Sequence, residues 1–523
     1  MSLTFNLADL WEAIADRVPD RLAVVTEARR VTYAELEARA NQLAAWLAAQ
    51  GVAPGDHVGL HLYNGTEYLE GMLAAYKLRA VPVNVNYRYV EEELRYLFDD
   101  ADLVALVHDV EFGPRIDAIA DRVPTMRVRL AVGGGGGYEA ALAESSPQRV
   151  EIQRSGDDHY VIYTGGTTGM PKGVVWRQED AFFACFGGGN PIRVQGPAEQ
   201  PSDVLERITE TPFVVLPLAP LMHGAAQWTS FMWLFAGGQV VLTPSRPRTD
   251  YSAVWRLIGD ERVNLVVVVG DAVARPFVEE YAAHAGEYDP SSLTTIGSGG
   301  APLSPSLKST LAEMFPNVFI ADGYGTSETG AQATNLGGSR FSPMDPNTVV
   351  LDETTLEPVE PGRGAVGRVA RRGHIPFAYH KDAEKTAAAF VEHAGERWVL
   401  TGDIATLLDD GSIEILGRGS QCINTGGEKV FPEEVESALK AHPAVYDVLV
   451  VGVPDERWGQ RVTALVQPRP GTSVDLGSLQ AHCRTLVAGY KVPRGLVVVD
   501  EVVRSPVGKP DYRWAQRAAE VAG

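Results

Sequence analysis

The chain has 523 residues, more than one ordinary hydrophobic core accommodates, so at least two domains are expected. Hydrophobic residues make up 45% and charged residues 22%, the balance of a globular protein rather than a disordered one. The 67 acidic side chains outnumber the 46 basic ones and give a net charge of −21. That charge repels a phosphate backbone, argues against nucleic acid as a partner, and means that any polyanionic ligand needs a locally positive pocket.

Residues 1–30 carry Asp9, Glu12, Asp16 and Asp20 and lack an apolar block, so no signal peptide is expected. From Val58 onward, short apolar runs alternate with longer amphipathic ones. Runs 58–63, 81–85 and 103–108 read as buried strands, and 66–79 and 90–100 between them read as helices with Glu91, Glu92 and Asp99 facing water. The five glycines at 133–137 lack the GK[ST] or GxGxxG frame of a phosphate loop and read as a surface connection. Residues 187–212, rich in Gly, Pro and charge, read as a loop. Strands resume at 213–218, 239–243, 265–269 and 293–296, separated by helices at 251–261, 272–283 and 304–314. This repetition predicts an α/β fold, a large N-terminal domain of mostly parallel sheets flanked by helices.

After residue 416 the character changes. Gly417-Arg418-Gly419-Ser420 interrupts the chain, and a smaller α+β unit follows. It comprises a helix at 432–440, strands at 445–451 and 462–467, a helix near 476–487 and a strand at 496–499. The expected domains are therefore 1–416 and a small mobile domain 417–523, hinged at 417–420. The most apolar stretches, 263–270 and 231–238, are too short to span a bilayer. Cys185, Cys422 and Cys483 are far apart and show no CxxC spacing, which points to a reducing, cytoplasmic compartment without disulfides.

The strongest local signal is Tyr163-Thr164-Gly165-Gly166-Thr167-Thr168-Gly169-Met170-Pro171-Lys172-Gly173, after the apolar 160–163. Its glycines let the backbone turn with N–H groups pointing into one concavity, and its threonine hydroxyls and one ammonium add donors. Such a nest suits a polyphosphate. It is not a Walker A loop, because GK[ST] is missing, and a ligand-free Gly/Thr turn is the plain alternative. Two further segments converge on the same crevice. Tyr324-Gly325-Thr326-Ser327-Glu328 follows a strand at 318–320, and Gly297-Ser298-Gly299-Gly300-Ala301-Pro302 ends the strand before it. In open α/β sheets, ligands gather outside the carboxyl ends of the strands. Tyr324 offers a flat face for a base, and residues 299–301 allow close approach. Glu328 is a hard oxygen ligand for Mg²⁺, or simply a carboxylate at a helix N-terminus. Asp403, in Thr401-Gly402-Asp403 after the apolar 398–400, can accept from two ribose hydroxyls or cap a turn.

These segments, in this order, resemble the adenylate-forming superfamily of acyl-CoA synthetases, nonribosomal adenylation domains and luciferases. Gly417-Arg418, Gly426-Gly427-Glu428-Lys429-Val430-Phe431-Pro432-Glu433-Glu434-Val435-Glu436 and the closing Ser505-Pro506-Val507-Gly508-Lys509-Pro510 complete the match, which runs from about residue 5 to about 515. Within the superfamily, 415–436 and 489–514 look most like actinobacterial fatty-acid and steroid-side-chain acyl-CoA ligases. The resemblance implies ATP, Mg²⁺ and coenzyme A as ligands, a bulky or long apolar carboxylic acid as substrate, and allows a homodimer. It places Thr164, Gly165, Gly166, Thr167, Thr168, Gly169 and Lys172 on the β- and γ-phosphates. It sets Gly299, Gly300, Ala301, Asp322, Gly323 and Tyr324 around the adenine and makes Gly325, Thr326 and Ser327 part of the nucleotide site, with Ser327 where the family usually has threonine. Glu328 is the implied Mg²⁺ ligand, and Asp403 and Arg418 the implied ribose grip. Lys509 bridges the α-phosphate and the attacking carboxylate. Gly426 and Gly427 belong to the thiol entrance. The resemblance puts His223 at the mouth of the acyl pocket, not as a general base, with a packed core histidine at a helix N-terminus as the equal alternative, and it puts Trp228, Gly270 and Asp271 on elements expected to flank that pocket.

The implied reaction has two halves: the acid attacks the α-phosphorus of ATP and releases pyrophosphate, and CoA then displaces AMP. One departure concerns the hinge, where Ser420 replaces the usual Asp or Lys and so weakens any charge-based latch. No GxSxG and no Cys with an obvious His partner offers a competing nucleophile. Two rivals remain at this level: an adenylating enzyme with another oxyanion or another acceptor, such as an amine or a carrier protein, and a non-catalytic nucleotide-binding protein.

Overall fold

A computed structural model describes residues 3–135, 137–164, 170–243, 249–301, 303–335, 340–425, 428–455, 458–504 and 509–522, with Arg418, Ser420 and Lys429 described in backbone only. Four strands, His57–His61, Val81–Asn84, Leu103–Asp109 and Val128–Val132, form an all-parallel sheet. Leu103 to His108 are all buried, which is why this strand reads as an unbroken apolar run rather than an alternating one. A second parallel array runs Leu22–Val25, Gln239–Val241, Val214–Pro217, Leu265–Val268, Thr295–Ser298 and Phe319–Thr326. Helices Tyr251–Asp260, Gly270–Ala283 and Pro305–Met314 connect and cover it. Trp255, fully buried on the first of these, stacks on Phe277 of the second at 4.2 Å between ring centroids.

The parallel strands thus stand where the sequence pattern puts them, and antiparallel strands extend them. Gly330–Asn335 turns back on Phe319–Thr326, and Arg340–Pro343, Ile413–Arg418, Glu396–Leu407, Val366–Arg372 and Thr348–Leu351 continue the same sheet. His159–Thr164 and Lys172–Arg177 form an antiparallel hairpin, with Ala378–Tyr379 as a third strand. Local details differ from expectation. The strand expected at 293–296 runs Thr295–Ser298, and a short helix, Pro201–Glu206, interrupts the expected loop at 187–212. The turn reading of Asp403 is corrected, because that residue lies inside the strand Glu396–Leu407. The helix reading of Glu328 is corrected too: it sits in the turn between two antiparallel strands.

Beyond residue 420 a five-stranded sheet forms from Ile423–Thr425, Glu428–Val430, Val445–Asp455, Gly459–Pro468 and Gly495–Val498. Its own core includes Val435, Leu439, Val448, Val450, Val462 and Leu479, so this unit buries apolar surface independently of the rest. A closing helix, Tyr512–Ala522, was not expected; its buried inner face includes Ala515 and Ala519, residues too small to give a strong apolar pattern. The unit touches the helix Gly270–Ala283: Lys440 Nζ lies 3.7 Å from Asp271 Oδ2, and the Arg275 guanidinium stands 5.2 Å from the Tyr446 ring centroid. Among the described residues, no helix is long and apolar enough to cross a membrane.

Candidate active site

Thr164 and Lys172 pair with each other at the end of the hairpin, so the sheet fixes the two residues that flank the glycine-rich segment. Gly165, Gly166, Thr167, Thr168 and Gly169 lie outside the described residues. Lys172 Nζ is 2.9 Å from Glu328 Oε1. Burial pushes the Glu328 carboxyl up, and the Lys172 ammonium, with a hydrogen bond from Tyr379, more than offsets this and leaves it below the ordinary value. The group is therefore an anion at neutral pH. Its turn is fixed from both sides. The Glu328 N–H donates to Thr326 Oγ1 at 3.2 Å, the Thr326 N–H donates to Thr329 Oγ1 at 3.0 Å, and Trp176 Nε1 donates to the Ser327 carbonyl at 3.1 Å.

The carboxyl ends of strands Val214–Pro217, Leu265–Val268, Thr295–Ser298 and Phe319–Thr326 open on one edge of the parallel array. Gly299, Gly300 and Ala301 follow the third of these. Gly300 has φ +83° and Gly270 has φ +56°, values that favour glycine. Ser298 joins their two loops, since its Oγ accepts from the Gly270 N–H at 3.0 Å and donates to the Ala301 carbonyl at 2.9 Å. Gly323, Tyr324, Gly325 and Thr326 lie on the neighbouring strand and its hairpin. Tyr324 OH donates to Asp403 Oδ2 at 2.6 Å, so the aromatic and the carboxylate meet although 79 positions separate them. Asp403 also pairs through its backbone with Arg418 on the adjacent strand. Asp322 is buried and turned to Lys308, whose Nζ is 2.8 Å from Oδ2; burial pushes its carboxyl up.

His223 precedes the helix Gly224–Leu234, and its Nε2 is buried without a hydrogen-bond partner among the described residues. Burial, then the charges of Lys509 and Arg88, push its imidazole down to about 3. It is neutral at pH 7 and a poor proton acceptor. Trp228 lies one turn further on, donating to Tyr160 OH at 3.2 Å; a Cβ at Gly224 would stand 3.1 Å from its ring. Lys509 comes from the small unit. It occupies a loop closed by pairing of Arg504 with Pro510, and Arg504 is clamped to Asp447 by hydrogen bonds of 2.6 and 2.8 Å. The exposed Lys509 is thereby delivered to the neighbourhood of His223 across 286 positions of sequence (509 − 223). Asp271 Oδ1 accepts from the Ser304 N–H at 2.7 Å and its Oδ2 faces Arg275 and Lys440, so its carboxylate serves a helix start and the contact between units. Gly426 and Gly427 lie outside the described residues.

Two contributors carried no sequence signal. Tyr379 OH accepts from Lys172 Nζ at 2.8 Å and donates to Glu328 Oε1 at 2.9 Å. Asn84, at the end of the other parallel sheet, donates to the carbonyls of Tyr163 and Met222 at 2.9 and 2.7 Å and accepts from the Tyr163 N–H at 2.7 Å. It ties the residue before Thr164 to the residue before His223. In Asn84→Ala these three buried backbone groups lose their partner, at about 1–3 kcal/mol each before relaxation. A clear fall in melting temperature together with weaker ATP binding is expected, and an unchanged melting curve would contradict this role.

A large α/β unit with an antiparallel hairpin beside its parallel sheets, joined to a small α+β unit that carries an exposed lysine, is the architecture of adenylate-forming enzymes. The chain belongs to the AMP-binding enzyme family, whose model matches residues 11–377, with the AMP-binding enzyme C-terminal domain matching 434–509. It is 46% identical over 535 residues to 3-oxocholest-4-en-26-oate–CoA ligase of Rhodococcus rhodochrous, covering 98% of this chain and 96% of that one. It is 47% identical over 545 residues to the medium/long-chain-fatty-acid–CoA/3-oxocholest-4-en-26-oate–CoA ligase of Mycolicibacterium smegmatis, with 99% and 97% covered. Among solved structures, ATP-bound MatB from Rhodopseudomonas palustris matches at TM-score 0.84 and 26% identity over 98% of each chain, and the apo form of the same protein at 0.75, with the same identity and coverage.

Proposed function

We propose that the chain converts a carboxylic acid, ATP and CoA into acyl-CoA, AMP and pyrophosphate through an acyl-adenylate. The observation that carries this reading is the delivery of Lys509, from a separate small unit, to the strand ends where His223 stands. The higher TM-score to the ATP-bound neighbour than to its apo form supports a conformation ready for adenylation.

The roles follow from the groups present. The ionised Glu328 carboxylate and the Thr164 hydroxyl are oxygen donors of the kind Mg²⁺ takes, and Mg²⁺ would neutralise charge on the β- and γ-phosphates. Lys172 exchanges its Glu328 partner for phosphate oxygens, with the N–H groups of the 165–169 loop alongside. Tyr324 supports the base among Gly299, Gly300, Ala301 and Gly323, and Asp403 accepts from the ribose hydroxyls, with Arg418 beside it. Lys509 then spans the α-phosphate and the incoming carboxylate, two anions that water would keep apart. Charge builds on the phosphorus oxygens in the transition state, so this ammonium stabilises that state more than the reactants. The carboxylate oxygen bonds to the α-phosphorus as the bond to pyrophosphate breaks. We assign the domains as 1–416 and 417–523. Rotation about 417–420 withdraws Lys509 and brings Gly426 and Gly427 to the thiol entrance, where the CoA sulfur attacks the acyl carbon and AMP leaves.

The acid is large and apolar, either a steroid side-chain acid or a medium- to long-chain fatty acid. Support comes from the names of the two relatives and from Trp228 and Gly224 beside His223. A cytoplasmic location fits three cysteines that form no disulfide. A homodimer belongs to the same proposal, and sedimentation velocity tests it: a species at twice the chain mass is expected, and one at the chain mass contradicts it. The function itself is tested by pyrophosphate release across an acid panel with and without CoA. Release with a steroid or fatty acid, and thioester only when CoA is added, is expected. Release without any thioester would shift the acceptor to an amine or carrier protein, and no release with any acid would sink the reading.

A further inference from the structure

We propose that Tyr379 is a positioning residue for adenylation: its phenol holds the Glu328 carboxylate and the Lys172 ammonium in the arrangement that receives the metal and phosphates of MgATP. The inference rests on the adenylation reading above and adds a residue to it. Lys172 Nζ, Tyr379 OH and Glu328 Oε1 form a closed triangle with sides of 2.8, 2.9 and 2.9 Å. The hydroxyl spends its single proton on the carboxylate and a lone pair on the ammonium, so one oxygen reads both charged partners. Lys172 Nζ also stands 4.0 Å from the centroid of the Tyr379 ring, a cation–π contact from the same side chain.

Everything around the ring holds it still. Tyr379 pairs with Val174 on the strand that begins at Lys172, its N–H donates to Thr386 Oγ1 at 3.0 Å, and its ring meets Phe390 edge-on at 5.8 Å. The next residue, His380, donates its N–H to the Gly173 carbonyl at 2.8 Å. The phenol is thus locked to the strand that carries Lys172, while Glu328 sits on a separate hairpin. A side chain that only filled the wall would need no hydroxyl, and a hydroxyl that only needed satisfying would need one partner. This one connects the two charged groups assigned to the phosphates. Partners that orient a metal-ligating carboxylate commonly contribute 10- to 100-fold to metal affinity or activity.

Tyr379→Phe keeps the ring, its Phe390 contact and the cation–π surface, and removes only the hydroxyl. The decisive measurement is calorimetric ATP binding without acid, so that no turnover occurs, in Mg²⁺ and in EDTA. In the wild type, Mg²⁺ tightens ATP binding. In Tyr379→Phe that Mg²⁺-dependent gain is expected to shrink about tenfold. Thioester formation from supplied acyl-adenylate and CoA, which uses neither β- nor γ-phosphate, is expected to stay within about twofold and reports that the variant is folded. A gain as large in Tyr379→Phe as in the wild type would overturn the role of the phenol alone. Equal loss in both half-reactions would reduce Tyr379 to a packing residue and overturn it too. A wild type that gains nothing from Mg²⁺ would overturn the adenylation reading, and this inference with it.

Discussion

Lys509→Ala lowers the rate of acyl-adenylate formation by about 10²- to 10³-fold, the usual consequence of removing a group aimed at developing charge. Thioester formation from supplied acyl-adenylate stays close to wild type, because the small unit has by then carried Lys509 away from the phosphorus. The split is the diagnostic part. Lys509 is exposed, on a loop anchored by the Arg504–Asp447 clamp and the Arg504–Pro510 pairing, so truncating its side chain opens no cavity and the melting temperature should not move. Equal loss in both half-reactions would contradict the assignment, as would a wild-type adenylation rate.

The second large effect is structural in origin. Gly325→Ala is expected to abolish ATP binding and to destabilise the large unit. A Cβ at residue 325 would collide with the carbonyl oxygen of Gly330 and stand 3.0 Å from its carbonyl carbon and 3.2 Å from Ala331 Cα, all of them backbone. Backbone in a paired hairpin cannot swing aside as a side chain can. The strand Gly330–Asn335 would have to move, and the space beside Gly330 is itself limited, since a Cβ there would collide with the Ala184 carbonyl. Overpacking of this kind costs about 1–3 kcal/mol, sometimes more. The displacement falls on Tyr324 and Glu328 together, one on each side of the substitution. Fluorescent-nucleotide titration with a thermal melt checks it: near-normal affinity in Gly325→Ala would show that the hairpin has room that the geometry denies.

Much of the site could be read from the sequence because its parts are short, contiguous and chemically marked. Glu328 follows Tyr324-Gly325-Thr326 in one hairpin, and Gly299, Gly300 and Ala301 end one strand. Local spacing therefore groups them, although it does not tell the hairpin turn at Glu328 from a helix start. Asn84 and Tyr379 stayed invisible for the opposite reason. Tyr379 lies 207 positions from Lys172 and Asn84 lies 79 from Tyr163, so only the folded sheets bring them together. The antiparallel strands at 330–418 escaped the parallel pattern because short half-buried runs look alike whichever way their partner runs. Asp271 shows what sequence alone does not convey. It follows Gly270 at a strand end, yet it stands in the first turn of a helix, which aims its carboxylate at the Ser304 N–H and at Lys440 of the small unit. The helix Tyr512–Ala522 shows the limit of composition, since alanines can line a buried face without an apolar signature.

The central claim is that an oxygen of the substrate acid becomes bonded to the α-phosphorus of ATP. Supplying the acid with both carboxylate oxygens labelled as ¹⁸O, together with ATP and CoA, tests this without reference to any residue. Attack at phosphorus followed by thiol attack at the acyl carbon leaves one labelled oxygen in AMP and none in pyrophosphate, and mass spectrometry of the recovered AMP should show that single label. Unlabelled AMP formed alongside acyl-CoA would mean that the acid never joined the α-phosphorus, and an acyl-adenylate route would be ruled out.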